Sequence, residues 1–297
     1  MSWILYTLLA HVLWGSTNIA DKYILENRLK NPYVYAVLSK FLALPILLII
    51  PFAHFYVPAG IDMLWLAVAG GLFFFGAFPY MRAVQIEEIT RINIWWGLNP
   101  IFALCIEVFV LHKAFSQSEW VGFCVLLTST ILASIHLAKK TFTFSRAVLF
   151  MGASTLLYSI YGIVVAHVTK TVPFLVASLW VTIWMAIWAI PFFFARFRQT
   201  LREERSRLSV RILVYITLIS LAAYIAIIFN QWALSLAPVA FVFSLEGSQM
   251  MFVFLAVAVI SYFSPGAVKE HYDVKNVVLK IMAMMLMIGG IMILAFA

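Results

Sequence analysis

The amino-acid sequence predicts an all-α integral membrane protein with ten transmembrane helices. Hydrophobic residues make up 65% of the 297 residues and charged residues only 11%, whereas a soluble domain carries about 25% charged residues. A soluble fold cannot bury so much apolar surface, because its surface grows nearly as fast as its mass. The apolar residues also fall into runs of about 20, the length of a membrane-spanning helix, without the period-two alternation of a barrel strand.

Ten apolar runs follow one another along the chain, separated by breaks that contain charged or turn-forming residues. Backbone groups inside lipid must be hydrogen-bonded within the protein, so each run is predicted to be a helix. The longest basic break, 196–211, is predicted to be a solvated loop or a surface helix. The predicted spans are 3–25, 33–53, 62–84, 92–112, 119–137, 147–168, 174–195, 211–235, 239–262 and 276–297.

Two pairs of segments indicate an internal repeat. Segment 31–52 resembles 172–193, since both have Pro at their second position and Ile-Pro-Phe near their end. Segment 95–111 resembles 243–259. These matches relate the second predicted span to the seventh and the fourth to the ninth, so each half contains five spans.

Because five is an odd number, two such halves lie upside down relative to each other in the membrane. The sequence therefore predicts two inverted five-helix repeats, 1–140 and 141–297, around a central cavity. The alignment of the repeats places Asn99 opposite Glu246. Asn99, Glu246, Gln249 and Lys40 are predicted to line the central cavity.

The net charge of +8 indicates contact with the membrane surface and not with nucleic acid, because the basic residues lie in short breaks and form no continuous stripe. The odd-numbered loops hold 17 of the 20 Lys and Arg residues, and the even-numbered loops hold only Lys113 and Lys170. Since cytoplasmic loops collect Lys and Arg, this bias places the odd loops in the cytoplasm and both termini outside.

No cofactor or metal is expected. Cys105 and Cys124 both fall within apolar runs, which favours small hydrophobic residues over a disulfide or a metal pair. The six His residues are dispersed, and the sequence contains no Gly-rich phosphate loop. The first apolar run lacks a basic segment before it, so it is predicted to be a retained helix and not a cleaved signal peptide.

Glu107, Glu246 and Lys40 lie deep inside predicted spans, where an ionisable residue costs about 2.5–3.5 kcal/mol on insertion scales. Glu107 is interpreted either as a structural residue hydrogen-bonded between helices or as a proton relay. Glu246 has Gln249 on the same helix face and Gly247 beside it, which favours a role in substrate contact or proton coupling. Lys40, roughly 10 Å into the second span, either snorkels to the surface or balances a carboxylate.

The first predicted helix carries a polar stripe. His11, Trp14, Asn18 and Asp21 follow at spacings of three and four residues. A polar stripe in lipid must face the interior of the bundle, so these residues are predicted to line a cavity.

The aromatic residues fall into two groups. Trp180, Trp184 and Trp188 recur every four residues, which is more typical of a packing or lipid-facing surface than of a ligand site. Residues with polar tips that need partners are better candidates for lining a cavity, and aromatic faces with carboxylates suit flat or cationic solutes. These candidates are Tyr80, Tyr158, Tyr161, Asn230, Gln231 and Trp232.

The order and spacing of several segments resemble the drug/metabolite transporter superfamily, in its EamA-type ten-helix branch. The segments that carry the resemblance include HVLWGSTNIADKYIL (11–25), GLNPIFALCIEVFVL (97–111), SEWVGFCVLLTSTIL (118–132), 229–259 and 268–294. The resemblance implies helices around a central cavity open to one side and carriage of amino acids, nucleotides, sugars or drugs. It also implies termini inside the cell, in conflict with the distribution of Lys and Arg.

The chain departs from this family at two places. Gly247 stands where the family often has Pro, and Leu111, His112 and Lys113 stand where it usually has Gly-Glu-Arg.

The leading hypothesis is a secondary transporter in the cytoplasmic (inner) membrane, working by alternating access. Its predicted partners are the lipid bilayer and a small organic metabolite such as an amino acid, with export favoured and with the protein acting as a monomer or homodimer. Proton coupling through Glu107 or Glu246 is a hypothesis. The alternatives are a non-transporting scaffold or receptor and, less favoured, a membrane enzyme, which would need clustered catalytic groups.

Overall fold

The computed structural model describes residues 2–87, 89, 92, 95–134, 146–193, 196–205, 208–263 and 274–296. Its regular structure is helical, as the sequence predicts. The helices are α1 Ser2–Asn27, α2 Pro32–Leu42, α3 Gly60–Ile86, α4 Leu98–Cys105, α5 Gln117–Ser134, α6 Arg146–Val168, α7 Phe174–Ala189, α8 Arg196–Glu204, α9 Val210–Leu234, α10 Val239–Ser244, α11 Glu246–Phe263 and α12 Val274–Phe296.

Six helical stretches of the described chain are long and apolar enough to cross a membrane. They are Pro32–Phe52, Gly60–Ile86, Arg146–Val168, Phe174–Phe192, Val210–Leu234 and Val239–Ala256. Each overlaps a predicted span, and the chain is therefore a multi-pass helical membrane protein. Helix α8 lies within the basic break that the sequence predicts to be a loop or a surface helix.

The second span changes its helical form halfway. Asn31 caps the start of α2, because its side-chain oxygen accepts hydrogen bonds from the backbone N–H groups of Tyr33 and Val34 at 2.9 and 3.2 Å. After Leu42 the chain continues as a 3-10 helix, Leu44–Phe52. Pro45 lacks an N–H and disfavours α-helical backbone in the residue before it, so the α-helix ends there.

The fourth span also departs from a regular α-helix. Helix α4 continues as a π-helical segment, Ile106–Val110, in which the N–H of Leu111 bonds the carbonyl of Ile106 at 3.0 Å. Glu107 lies in this segment and is fully buried. Such short π segments are rare within α-helices and are often found at functional sites.

The ninth predicted span is broken into two helices. Helix α10 ends at Ser244, Leu245 lies between the helices, and α11 begins at Glu246. The break places Glu246 in the first turn of α11, where backbone N–H groups are left free and a negative charge is stabilised. The sequence predicts one continuous helix over 239–262, and this part of the prediction is wrong.

Glycines allow α5 and α12 to pack closely. A Cβ atom on Gly122 would lie 2.7 Å from the side chain of Leu294, and one on Gly290 would lie 2.7 Å from that of Leu126. Small residues let two membrane helices approach, because packing and not the hydrophobic effect holds helices together in lipid.

The tryptophan stripe of α7 packs on the first half of the chain. The indole N–H of Trp180 donates to the carbonyl of Tyr56 at 2.8 Å, and that of Trp188 donates to the carbonyl of Ala67 at 2.9 Å. The indole of Trp184 contacts the sulfur of Met63 at 3.3 Å. The stripe therefore packs against α3 and the segment before it, which agrees with its interpretation as a packing surface.

Candidate functional site

A cavity lies inside the helix bundle and has about 740 Å³ of empty volume, solvent openings included. Eight helices contribute to its wall, namely α1, α2, α3 and α4 from the first predicted half of the chain and α6, α9, α10 and α11 from the second. It is lined by Trp14, Thr17, Asn18, Asp21, Lys40, Phe73, Ala77, Tyr80, Met81, Trp96, Asn99, Tyr158, Tyr161, Ala223, Asn230, Phe243, Glu246 and Gln249.

The cavity brings together most of the residues that the sequence predicts to line it. Those present are Trp14, Asn18, Lys40, Tyr80, Asn99, Tyr158, Tyr161, Asn230, Glu246 and Gln249. His11, Gln231 and Trp232 are not in the wall. His11 and Gln231 contact the wall residues Glu246 and Tyr161, whereas Trp232 packs on Tyr6 and Phe174 outside it.

Some lining residues have no counterpart among the predicted ones. Phe73 and Ala77 precede Tyr80 by seven and three residues, so helical spacing alone would have placed them on the face of Tyr80. Trp96 lies just before α4, and Phe243 lies three residues before Glu246 in α10. These residues are largely apolar, and an apolar side chain in a membrane helix gives no signal that distinguishes a cavity wall from a lipid-facing surface.

A polar network crosses the cavity at Glu246. The Asn99 side-chain amide donates to Glu246 Oε1 at 3.1 Å. The Ser159 hydroxyl donates to the Asn99 backbone carbonyl at 3.1 Å. Helices α4, α6 and α11 are thereby tied together around the carboxylate.

His11 lies behind this carboxylate. Its Nδ1 is 2.8 Å from the Ser248 hydroxyl, and its Nε2 is 3.8 Å from Glu246 Oε2. Neither Nε2 nor Oε2 has a hydrogen-bond partner among the described residues. The two atoms are too far apart for a hydrogen bond. With a proton on either atom, that atom could donate to the other if the two moved closer together.

Glu107 lies outside the cavity wall. Its carboxylate accepts hydrogen bonds from the backbone N–H groups of Val239 and Ala240 at 3.1 and 2.9 Å, and the Lys113 ammonium lies 2.6 Å from Oε1. These are the two free N–H groups at the start of α10, which a carboxylate satisfies well. The contacts support the structural interpretation of Glu107.

Two further predicted residues support the wall from behind. Gln231 accepts a hydrogen bond from the Ser178 hydroxyl and donates one to the Tyr161 hydroxyl, both at 2.7 Å. Trp232 stacks between Tyr6 and Phe174, with ring centroids 3.8 and 4.6 Å away. Gln231 therefore fixes the position of Tyr161, whereas Trp232 belongs to an aromatic stack outside the cavity.

The polar stripe of α1 faces inward, and two of its members pair with tyrosines. Tyr80 donates to the Asn18 side-chain oxygen at 2.7 Å, and Tyr35 donates to Asp21 Oδ1 at 2.5 Å. Asn18 and Asp21 are only 5% and 7% exposed. The arrangement agrees with the expectation that a polar stripe in a membrane helix turns away from lipid.

Lys40 lies in the cavity wall and is 7% exposed. Its Nζ is 5.3 Å from the centroid of the Phe73 ring, a cation–π geometry. Its charge interacts with that of Asp21, but the two groups form no salt bridge in the part of the chain that the structure describes. The long side chain therefore ends in the cavity and not at the membrane surface.

Several polar atoms of the wall have no partner. Both side-chain atoms of the Asn230 amide and the indole Nε1 of Trp96 are buried without a hydrogen bond among the described residues. Most buried polar groups in proteins are hydrogen-bonded, so unpaired ones at a cavity indicate that a ligand or water completes them. Within the same residues, no cluster of His, Cys, Asp or Glu is arranged to hold a metal ion.

Comparisons with known proteins agree with this architecture. Matches are found with 29 chains of known structure, and one, described only as the crystal structure of a protein, covers 99% of this chain and 98% of its own. Its TM-score is 0.66 and its identity 16%, so the likeness shows the fold alone. No curated protein sequence matches the chain. Residues 1–135, most of the first predicted half of the chain, match the model of the EamA-like transporter family.

Proposed function

We propose that the protein is a secondary transporter that moves a small amphiphilic organic metabolite across the cytoplasmic membrane. The observation that carries the proposal is the buried cavity, whose wall is built by both halves of the chain and includes polar atoms without partners. Ligand sites are typically apolar cavities with a few convergent polar groups. The match of residues 1–135 to the EamA-like transporter family supports solute movement as the role of such a cavity.

The transporter is proposed to have ten spans arranged as two inverted repeats of five. The described helices overlap all ten apolar runs, and Asn99 and Glu246, which occupy matching positions of the repeats, contact each other. The break between α10 and α11 supports the same architecture, since discontinuous helices near the midplane form the sites of many inverted-repeat transporters. Rocking of the two halves would then expose the cavity to each side in turn.

The cavity extends toward the end of the bundle that carries the odd-numbered loops. Asp21 and Met81 line it from the last two turns of α1 and α3. The distribution of Lys and Arg places these loops in the cytoplasm, so the proposed state faces the cytoplasm and loads a substrate for export. At the opposite end, the contact of Glu107 with α10 joins the halves.

Proton coupling is proposed to act through Glu246. Its carboxylate is 4% exposed, lines the cavity, and has one oxygen directed at His11 without a hydrogen bond. A buried carboxylate that lines the cavity and has one oxygen free of hydrogen bonds can take up and release a proton through that cavity. Glu107 is fully hydrogen-bonded away from the cavity and is not proposed for this role.

Metabolite profiling of cells and medium, with and without overexpression of the protein, tests the proposed transport. We expect at least one small metabolite to decrease in the cells and accumulate in the medium. Enrichment inside the cells would instead show uptake. An unchanged profile across several growth conditions would contradict transport and favour a scaffold or receptor.

The Glu246→Gln variant tests the coupling once a substrate is known. In proteoliposomes, wild-type flux should respond to an imposed pH gradient, and the variant should carry substrate without that response. Glu119→Gln is the matched control, because Glu119 lies at the exposed start of α5 and away from the cavity. An unaltered pH response in Glu246→Gln would exclude coupling through this residue.

A further inference from the structure

Three hydrogen-bond donors of the cavity wall have no partner in the part of the chain that the structure describes. The first is the ammonium group of Lys40, whose contact with the described wall is the cation–π contact with Phe73. The second is the indole N–H of Trp96, which is buried without a hydrogen bond. The third is the hydroxyl of Tyr158, which is 9% exposed and makes only ring contacts. Buried donors are costly to leave unpaired, and a charged donor is the most costly.

These donors follow one another along a continuous wall. The Lys40 ammonium lies over the Phe73 ring, with 5.3 Å from Nζ to the centroid. Phe73 meets Tyr158 edge to face, with centroids 4.8 Å apart, and Tyr158 meets Trp96 with centroids 5.5 Å apart. A chain of ring contacts therefore connects the residue with the positive charge to the two residues with neutral donors.

The charge of Lys40 remains available to a ligand. Asp21, the carboxylate that interacts with it electrostatically, accepts a hydrogen bond from Tyr35 at 2.5 Å and forms no salt bridge with Lys40 among the described residues. A group that carries two acceptor oxygens and a negative charge complements this wall, because charge-assisted hydrogen bonds are the strong ones.

A second unsatisfied group lies elsewhere in the same cavity. The Asn230 amide is 1% exposed, and neither its oxygen nor its nitrogen has a partner within the described chain. An amide offers both a donor and an acceptor, which matches a hydroxyl or amino group. The remaining wall is largely aromatic, including Trp14 and Phe243, and suits an apolar body between the two polar groups.

We propose that the cavity binds a small organic acid, with the carboxylate held by Lys40, Trp96 and Tyr158 and a hydroxyl or amino group held by Asn230. This assignment rests on the proposed function, since it names the class of substrate that the transport cavity takes. It predicts that an acid binds and that the amide of the same acid, which lacks the charge, does not.

Calorimetric titration of the full-length protein in lipid nanodiscs tests the assignment directly. The probes are 3-phenyllactate and L-phenylalanine, which carry both groups, 3-phenylpropanoate, which has the carboxylate alone, and the primary amide of each. We expect the two complete acids to bind most tightly, 3-phenylpropanoate to bind more weakly, and the amides to bind about 10-fold to 100-fold more weakly than their acids.

Variants of the donors locate the carboxylate. Lys40→Met should lower the affinity for the acids by about 10-fold to 100-fold and leave the affinity for the amides unchanged. Lys40→Arg should retain much of the affinity for the acids. Tyr158→Phe and Trp96→Phe should each give a smaller loss. The matched controls are Lys170→Met, at an exposed position, and Tyr224→Phe, whose hydroxyl contacts Met185 and not the cavity.

Binding and flux separate this assignment from the proposed function. If acids bind in a Lys40-dependent manner but do not cross proteoliposome membranes, the result would support the carboxylate site and contradict the proposed transport. Amides that bind or cross as well as their acids, or acid binding that Lys40→Met leaves intact, would overturn the carboxylate site. Failure of every acid to bind at about 10 mM would also overturn the carboxylate site, since this concentration is ten times a Kd of about 1 mM. Each variant must unfold at the same temperature as the wild type for these comparisons to hold.

Discussion

Asn230 and Gln231, two neighbouring residues of α9 with side-chain amides, differ in their hydrogen bonding. Gln231 is fully buried and bonds both Ser178 and Tyr161, whereas the Asn230 amide, 1% exposed, has no partner among the described residues. Replacing a satisfied buried amide leaves its partners unpaired, but replacing an unsatisfied one removes a cost. The same side-chain amide group at adjacent positions therefore joins two helices in one case and is left without a partner at the cavity in the other.

The contrast gives a prediction for the two amides. Gln231→Met should lower the free energy of unfolding by about 1–3 kcal/mol, while Asn230→Leu should leave it unchanged or raise it. Unfolding of the purified proteins in detergent, followed by intrinsic fluorescence, measures both. Substrate transport should fall in Asn230→Leu in spite of its stability. Equal destabilisation by the two substitutions would show that Asn230 is a structural residue.

At the scale of the helices, Glu107 connects two elements that are distant in sequence. It lies in the π-helical segment after α4, and its two oxygens accept the N–H groups of Val239 and Ala240 at the start of α10. The short helix α10 has no side-chain cap of its own. Glu107 therefore caps α10 from another part of the chain and joins the two halves of the bundle.

Substitution of Glu107 should affect stability and not proton coupling. Glu107→Ala leaves two buried N–H groups without an acceptor, so we expect a loss of about 2–5 kcal/mol in the free energy of unfolding. Glu107→Gln keeps one acceptor and should lose less. The pH response of transport should persist in Glu107→Gln, in contrast to Glu246→Gln. A variant that folds as stably as wild type but loses the response would show that Glu107 carries the proton.

The sequence predicts where helices lie better than how their backbones depart from regularity. Long apolar runs identify the spans, because lipid imposes both their length and their helical form. The break at Leu245 and the π segment around Glu107 depend on hydrogen bonds between distant helices, which no local pattern shows. Both departures lie beside a buried carboxylate.

The same physical distinction explains which part of the cavity could be predicted. A polar side chain in a membrane helix must face inward, so Asn18, Lys40 and Glu246 are found from the sequence. Helical spacing puts Phe73 and Ala77 on the face of Tyr80, but neither side chain has a polar group that would identify this face as a cavity wall. The polar residues of a cavity wall can therefore be predicted from a membrane-protein sequence, whereas its apolar residues can be identified only once the fold is known.

At the scale of the whole molecule, the direction of transport depends on which end of the bundle faces the cytoplasm. The odd-numbered loops hold 17 of the 20 Lys and Arg residues, a bias that places them inside, whereas the family resemblance implies the reverse. The cavity reaches toward the odd-loop end, so this orientation decides whether the observed state loads substrate from the cytoplasm or releases it outside.

Labelling of single cysteines in intact cells decides the orientation. Cys105 and Cys124 are first replaced by Ala, and a cysteine is then introduced at Lys170 in an even loop or at Arg198 in α8, both exposed positions. Because basic loops are retained in the cytoplasm, a maleimide that cannot cross the membrane should label Lys170→Cys in intact cells and Arg198→Cys only after permeabilisation. The opposite pattern would place the termini inside, and the cavity would then face the outside in the observed state.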